Sequence, residues 1–416
     1  MKKKIFTVAI LGCGARGGNV YGSEISARSE QFKITALCDK SMERLVIYGN
    51  KFGVPVESRF TDEERFFEAV RADIMLITTY DKDHARQATR ALRMGYHVML
   101  EKPVAVSVSE CCELLSAVKE SGKRSLVCHV LRYSDAYRRV KEILDSGRIG
   151  RLVTLLAEEP VNYWHQAHSF VRGNAASSES SAPMILAKCC HDLDLISYYA
   201  GAECRSVSSI GGLSFFTEAN APEGAADRCL DCSLVDTCPY SAKRIYIDGW
   251  LAAGCPENSW PTNALTVAPV TEKGLIDEIR NGKFGRCVFK CDNDAVDHQL
   301  VQMTFKNDVK ANLNMTAFNT GSGRRYLFGG TLGTLELTDT SLTIKEYGGR
   351  VETYLVSELN GAGEHGGGDV GLIDELYRTV SLDVEGETSI ESSVDGYLIG
   401  IAAEESRKRN GELIVL

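Results

Sequence analysis

Residues 6–17 read Phe-Thr-Val-Ala-Ile-Leu-Gly-Cys-Gly-Ala-Arg-Gly. A short, mainly apolar run that ends in glycine reads as a buried strand. Gly12, Gly14 and Gly17 then fit G-x-G-x-x-G between that strand and a helix beginning near residue 18. In such a turn the first glycine makes the tight bend and the second lets the backbone approach a pyrophosphate. The third lets the helix pack on the strand. The diphosphate rests on the helix start, where free N–H groups and the helix dipole favour an anion. Ala15 and Arg16 lie inside the loop. Asp39 ends the next strand, 22 residues after Gly17 (39 − 17), where an acid would hold the adenosine ribose hydroxyls. A carboxylate there repels a 2′-phosphate, so the cofactor expected is NAD rather than NADP. Arg16, Lys40 and Arg44 are near enough in sequence to offset part of that repulsion.

Outward from that turn, strands and helices keep alternating through residue 128. Buried runs at 32–37, 73–78, 97–100 and 125–128 are separated by helical stretches at 41–52, 84–94 and after Ser107. Ser107 and Glu110 form a capping-box pair. That alternation predicts a parallel, doubly wound sheet. Beyond residue 128 helices become sparse, at 134–144, 184–199, 271–280, 371–380 and 390–408. Strands at 151–157, 296–305, 309–316, 324–329, 334–337 and 341–346 follow one another without crossover helices. This predicts an α+β domain on a large, mostly antiparallel sheet. The expected division is 1–128 and 129–416, with long loops at 159–182 and 217–265, the second rich in cysteine.

Composition narrows the function. A chain of 416 residues is too long for one ordinary core. With 44% apolar and 25% charged residues it is of globular type. No apolar run reaches the roughly 20 residues of a membrane span. A net charge of −9 argues against a general grip on nucleic acid. Lys2-Lys3-Lys4 before an apolar run resembles a secretory signal, but the run breaks at Gly12 into the glycine turn, so a strand is expected and a cytoplasmic location with it. The 14 cysteines are then thiols or metal ligands rather than disulfides.

Glu101-Lys102-Pro103 follows a strand of the first domain, at the carboxyl edge where ligands of open α/β sheets bind. A lysine there can hydrogen-bond a substrate hydroxyl and polarise it. Together with Gly12–Gly17, Asp39, Thr78-Thr79 and His84, this motif resembles the Gfo/Idh/MocA family, the glucose–fructose oxidoreductase and inositol dehydrogenase group. The resemblance is strong over the first domain and looser over the second. It implies a Rossmann domain followed by an α/β domain whose open sheet makes homo-oligomers. It also implies NAD(P)-linked redox chemistry at a sugar or polyol hydroxyl. Within it Lys102 matches the catalytic lysine, and His84 a histidine on the nicotinamide side. Arg132 matches an arginine after the sixth strand. Thr78, Thr79, Glu101, Lys102, His84, Arg132 and Arg44 thus join the glycine loop and Asp39 as expected cofactor contacts.

The family's Asp-x-x-x-His-x-x-Asp helix corresponds to Ala187–Asp194, in which His191 and Asp194 fit but alanine replaces the leading acid. Lys188 lies three residues before His191, on the same helical face. The preceding loop carries Tyr163, Trp164, His165, His168, Phe170, Arg172 and Asn174, a mixture of aromatic faces and polar groups suited to a carbohydrate. Before the helix at 371–380, Asp369 reads as an N-cap and His365 as a pocket candidate. Cys229, Cys232 and Cys238 have spacing suited to a tetrahedral structural zinc. Cys287, expected to begin a strand, is the favoured fourth ligand and Cys255 the other candidate.

The expected activity is NAD-dependent oxidation or reduction of a hydroxyl on a sugar, polyol or glycoside, with Lys102 and His191 at the reacting oxygen. The missing acid at Ala187 keeps open an NAD-dependent glycosidase, in which Tyr163, His168 or Lys188 supplies an extra base. A non-catalytic NAD-binding regulator is a third reading, opposed by the retention of Lys102 and His191.

Overall fold

Every residue of Ile74–Ile77 is buried, as a strand covered on both faces must be. It lies inside a parallel sheet of β1 (Phe6–Leu11), β2 (Phe32–Cys38), β3 (Arg59–Phe60), β4 (Ile74–Ile77), β5 (His97–Leu100) and β6 (Ser125–Val127). The strand order is β3-β2-β1-β4-β5-β6, the doubly wound arrangement. The order reverses beside β1, so the glycine turn after β1 opens at the crevice where such sheets bind ligands. The computed structural model describes residues 4–267, 269–321, 323–361 and 364–416.

The second sheet has nine strands: β7 (Leu152–Asn162), β8 (Cys204–Gly212), β9 (His298–Phe305), β10 (Lys310–Asn319), β11 (Arg325–Gly330), β12 (Gly333–Leu337), β13 (Ser341–Glu346), β14 (Val351–Leu355) and β15 (Ile414–Val415). Their order is β14-β13-β12-β11-β7-β10-β9-β8-β15. Only the β7–β10 pair is parallel. The strict alternation of β9 and β10 puts Val301, Met303, Leu313 and Met315 into the core and leaves Leu300, Gln302, Asn312 and Asn314 on an open face. Among the described residues no helix is long and apolar enough to cross a membrane.

Four elements depart from the sequence reading. The helix expected at 184–199 is broken into Met184–Ala187 and Cys190–Ala200, and at the break the Ala187 carbonyl accepts from a side-chain donor, Lys102 Nζ, at 3.0 Å. The loop expected at 159–182 starts as the end of β7 and then coils through Tyr163–Arg172. Asn162 caps this turn by accepting from the Trp164 N–H. The cysteine-rich loop is an insertion between β8 and β9 that runs past residue 265 and has its own apolar core. Tyr246, Ile247 and Trp250 pack there on Leu275, Ile279 and Phe284. Cys287 begins no strand; it follows an isolated bridge between Arg228 and Arg286.

The helix Gly368–Leu382 returns to the first sheet. Leu372, Ile373, Leu376 and Val380 share a core with Phe6, Val8, Ile10 and Ile34. Tyr377 meets the rings of Phe6 and Phe32 edge-on. The first domain therefore closes its core with residues from the far end of the chain. Leu372, fully buried, tests this. Leu372→Ala is expected to lower unfolding free energy by about 2–5 kcal/mol and to weaken NAD binding through the β1 turn. Urea unfolding with and without NAD reads both; a change under about 0.5 kcal/mol would contradict the shared core.

Candidate active site

The turn after β1 is shaped by close contacts. Gly12 has φ +97°, and a Cβ there would lie 2.5 Å from the Thr78 carbonyl oxygen. A Cβ at Gly17 would strike the Gly12 carbonyl. At Gly14 the nearest atom would be an Arg44 guanidinium nitrogen at 4.0 Å, so this glycine faces open space above the loop. Asp39 ties the loop to β2: its carboxylate accepts from Cys13 N at 2.7 Å and Ser41 N at 2.8 Å, with Arg44 3.8 Å away. Thr78 Oγ1 donates to the Gly12 carbonyl at 2.6 Å, and Thr79 to Gln87. The donor set and the open space above Gly14 fit a dinucleotide.

Arg16 turns inward from the loop. Its Nε donates to Glu101 Oε1 at 3.1 Å, and its guanidinium also meets Tyr21 Oη and the Asp369 carboxylate. Tyr21 Oη donates to Glu101 at 3.0 Å, and His365 Nδ1 lies 2.7 Å from Asp369. Burial opposes the Glu101 charge, but Arg16, Lys102 and His84 outweigh it and hold the carboxyl below its usual range. Asp369 is no N-cap; Gly367 takes that place and Asp369 sits in the first helical turn.

Lys102 stands next to this group, its Nζ on the Ala187 carbonyl. Burial alone would lower its pKa; Cys190, Glu101 and Asp81 outweigh burial and raise it. Cys190 is itself pushed up to about 12, mainly by burial, and is an uncharged thiol at neutral pH. The Glu101 and Asp81 carboxylates are therefore what hold Lys102 as an ammonium. His191 behaves oppositely. Burial first, then the charge of Lys102, pulls it well below the usual imidazole value. Its Nδ1 is buried and has no hydrogen-bond partner among the described residues. The ring meets His129 edge-on at 5.6 Å, and His129 hydrogen-bonds Tyr397 Oη at 2.9 Å. A fixed cation and a neutral imidazole, both half-buried, thus share one region.

Beneath them lies a second charge group that the sequence pattern did not reveal. Arg324 forks onto Asp192, at 2.8 and 3.3 Å, and also pairs with Glu159. Tyr326 Oη donates to Asp192 at 2.6 Å, and Lys188 Nζ lies 3.5 Å from Glu159. Glu159, on the inward face of β7, is 1% exposed. Burial raises its pKa against the pull of Arg324 and Lys188. Where a carboxylate was expected on the helix at Ala187, the structure supplies one from the sheet.

A family model described as oxidoreductase family, NAD-binding Rossmann fold, matches residues 6–129. The C-terminal alpha/beta domain of the same GFO_IDH_MocA family matches residues 141–367. The chain belongs to this family. YteT of Bacillus subtilis (strain 168), whose own assignment as an oxidoreductase is provisional, is 23% identical over 396 residues, 89% of this chain and 88% of that one. Inositol 2-dehydrogenase of Azotobacter vinelandii is 27% identical over 192 residues, 46% of this chain and 53% of that enzyme. An oxidoreductase of Agrobacterium radiobacter, solved with NAD+, L-tartaric acid and magnesium, shares the fold with a TM-score of 0.70 at 16% identity, over 99% of this chain and 98% of that one. The protein is therefore an NAD-binding oxidoreductase of the Gfo/Idh/MocA type.

Other expected site residues of this Gfo/Idh/MocA protein are placed further off. Arg132 is buried in a bidentate pair with Asp194, at 2.6 and 2.8 Å, and donates to the Glu387 carbonyl. Both ring nitrogens of His84 face carbonyls, Pro103 at 2.8 Å and Thr79 at 3.2 Å, so it braces the Lys102 turn from behind. His168 faces the insertion, stacked on Phe284 at 5.0 Å with Nδ1 3.0 Å from Tyr246 Oη. Tyr163 packs edge-on against Tyr240.

The zinc expectation is not supported. Cys229, Cys232, Cys238 and Cys287 do line one cavity of about 20 Å³. Among the described residues, however, no three potential donors are gathered closely enough to hold a metal. Cys255 is exposed and lines no part of that cavity. The insertion's apolar core already holds the segment together.

The buried histidines make stability depend on pH. Burial, helped by Arg172 and Lys283, pulls His168 from 6.5 to about 3. The unfolded chain then binds more protons than the folded one below pH 6.5, so stability is lost as pH falls through that window. His168→Phe keeps a ring on Phe284 and removes one such proton. Its unfolding free energy between pH 6.5 and 4.5 is expected to fall less steeply than wild type by about 1.4 kcal/mol per pH unit. Denaturant titrations across that range check it; parallel curves would contradict it.

Proposed function

We propose that this protein is an NAD-dependent dehydrogenase acting on a secondary hydroxyl of a sugar, polyol or glycoside. The observation that carries the reading is the pairing of a half-buried Lys102 ammonium with a half-buried, neutral His191 whose Nδ1 is unpartnered. The Gly12–Gly17 loop would hold the diphosphate, with Ala15 and Arg44 at its rim, and Asp39 the adenosine ribose. NAD, when bound, supplies the hydride acceptor. Lys102 donates a hydrogen bond to the substrate hydroxyl and stabilises developing negative charge on its oxygen. His191 accepts the hydroxyl proton on its neutral imidazole. Thr78, Thr79 and Glu101 keep the loop and Lys102 in place.

Glycoside cleavage by transient oxidation is a second reading, favoured by Glu159. Lys188, half-buried and 3.5 Å from this carboxyl, can give a proton to a leaving oxygen and regain one from Glu159, which is itself too buried to reach it. A panel of sugars, polyols and aryl glycosides, followed for both NADH absorbance and aglycone release, separates the two. NADH without aglycone supports the dehydrogenase; aglycone without net NADH supports the second reading.

On a substrate so found, Lys102→Ala and His191→Ala are each expected to lower kcat by about 10²–10⁴-fold while NAD affinity changes little. Calorimetry with both cofactors is expected to show tighter binding of NAD than NADP. Near wild-type kcat in His191→Ala would overturn the proton assignment, and equal cofactor affinities would overturn the role given to Asp39.

Self-association is the partner reading. Leu156 (43% exposed), Ile210 (56%) and Leu300 (45%) lie on the open face of the second sheet, with Leu300 opposite Ile210. Exposed aliphatic side chains rimmed by polar ones, here Gln302, Asn312 and Asn314, are typical of an interface. Light scattering is expected to show a homo-oligomer that Leu300→Lys dissociates; a monomeric wild type would refute it.

A further inference from the structure

The insertion between β8 and β9 returns to the active-site cleft through the segment around Trp260. Asn258 Nδ2 donates to Asn19 Oδ1 at 2.8 Å, and Asn19 lies on the helical turn that follows the glycine loop. Trp260 packs at a tilt against Trp164 and edge-on against His165, each with ring centroids 4.8 Å away, and edge-on against His168 at 5.4 Å. His165 is pulled down to about 2, first by burial and then by the charges of Lys188, His168 and Lys102. The ring beneath Trp260 is thus uncharged and within electrostatic reach of the reacting groups. Trp260 and Trp164 also wall a cavity of about 330 Å³, together with Tyr163 and Trp250 and with Arg244 and Ser259 on its lining. That volume falls in the range of small-molecule sites, about 300–1,000 Å³. Trp260 is nevertheless 44% exposed. Trp250 is fixed by its own hydrogen bond to the Pro256 carbonyl at 2.9 Å, so the wall is braced.

We propose that this cavity is a subsite for a second ring, a sugar or aromatic aglycone joined to the sugar that reacts at Lys102 and His191. The proposal rests on the carbohydrate reading above and narrows it to glycosides and disaccharides. Neither Lys102 nor His191 lines this cavity. The link between them and its tryptophan wall is His165, which feels the Lys102 charge and packs on Trp260, so a hydroxyl at Lys102 and the wall call for two different rings. The second ring covers the wall, laying an apolar face on Trp260 and Trp164 while Arg244 and Ser259 meet hydroxyls. Binding energy from this remote ring is available to orient the reacting one.

The test is calorimetry on the NAD-loaded protein, with the α and β methyl and 4-nitrophenyl glycosides of glucose, galactose and mannose as probes. At least one nitrophenyl glycoside is expected to bind ten-fold or more tightly than its methyl counterpart. Trp260→Ala should collapse that ratio to near one, and Trp260→Phe should retain most of it, which separates a lost ring from a damaged fold. A ratio near one in wild type, or one that survives Trp260→Ala, overturns the subsite while binding of methyl glycosides leaves the carbohydrate reading standing. Binding of no probe at all overturns both.

Discussion

A charge taken out of water must find its partner inside the protein, and the seam between the two sheets is organised by that requirement. Three arginines meet it, Arg132 across the seam and Arg16 and Arg324 on either side of it. Arg16 reaches Glu101 and Asp369, Arg132 forks onto Asp194, and Arg324 is shared by Asp192 and Glu159. Removing one partner from a buried pair costs about 3–5 kcal/mol because the other charge is left stranded. These pairs also join distant parts of the chain, since Arg16 belongs to the first turn of the fold and Asp369 to the helix that returns to it.

The same requirement sets the states of the reacting groups. Lys102 keeps its proton because Glu101 and Asp81 are near, and Glu101 is itself held by Arg16 and Tyr21. No carboxylate hydrogen-bonds His191 or salt-bridges to it among the described residues, and the neighbouring ring of His129 is itself pulled down to about 4, chiefly by burial. The imidazole is thus left neutral beside an ammonium. Hydroxyl oxidation needs this division, a donor that stays charged and a base that is empty.

The first domain was legible because its constraints are local. The glycines at 12 and 17 follow a strand end at a motif spacing, although the atoms that exclude a Cβ there include those of Thr78, and Asp39 is marked by its place at the next strand end. The alternation of β9 and β10 was equally readable, since one face meets the core and the other does not. Glu159 and Arg324 could not be found that way. They lie 165 residues apart (324 − 159) and meet only because β7 and β11 pair in the second sheet. The spacing of Cys229, Cys232 and Cys238 suggested a metal where aromatic and aliphatic packing holds the insertion. The break at Lys188 was hidden as well, since the donor that meets the Ala187 carbonyl there, Lys102, lies in the other domain. Trp260 carries no motif; its place depends on a fold that the insertion completes with residues beyond 265.

The measurement that bears most directly on this account is the protonation state of His191. Nitrogen-15 NMR of the histidine rings in the NAD-loaded protein, with His191→Asn used to assign the signal, follows that state from pH 5 to 8. The account predicts a neutral imidazole throughout the range. An imidazolium at pH 7, or a titration centred near the ordinary value of about 6.5, would contradict it.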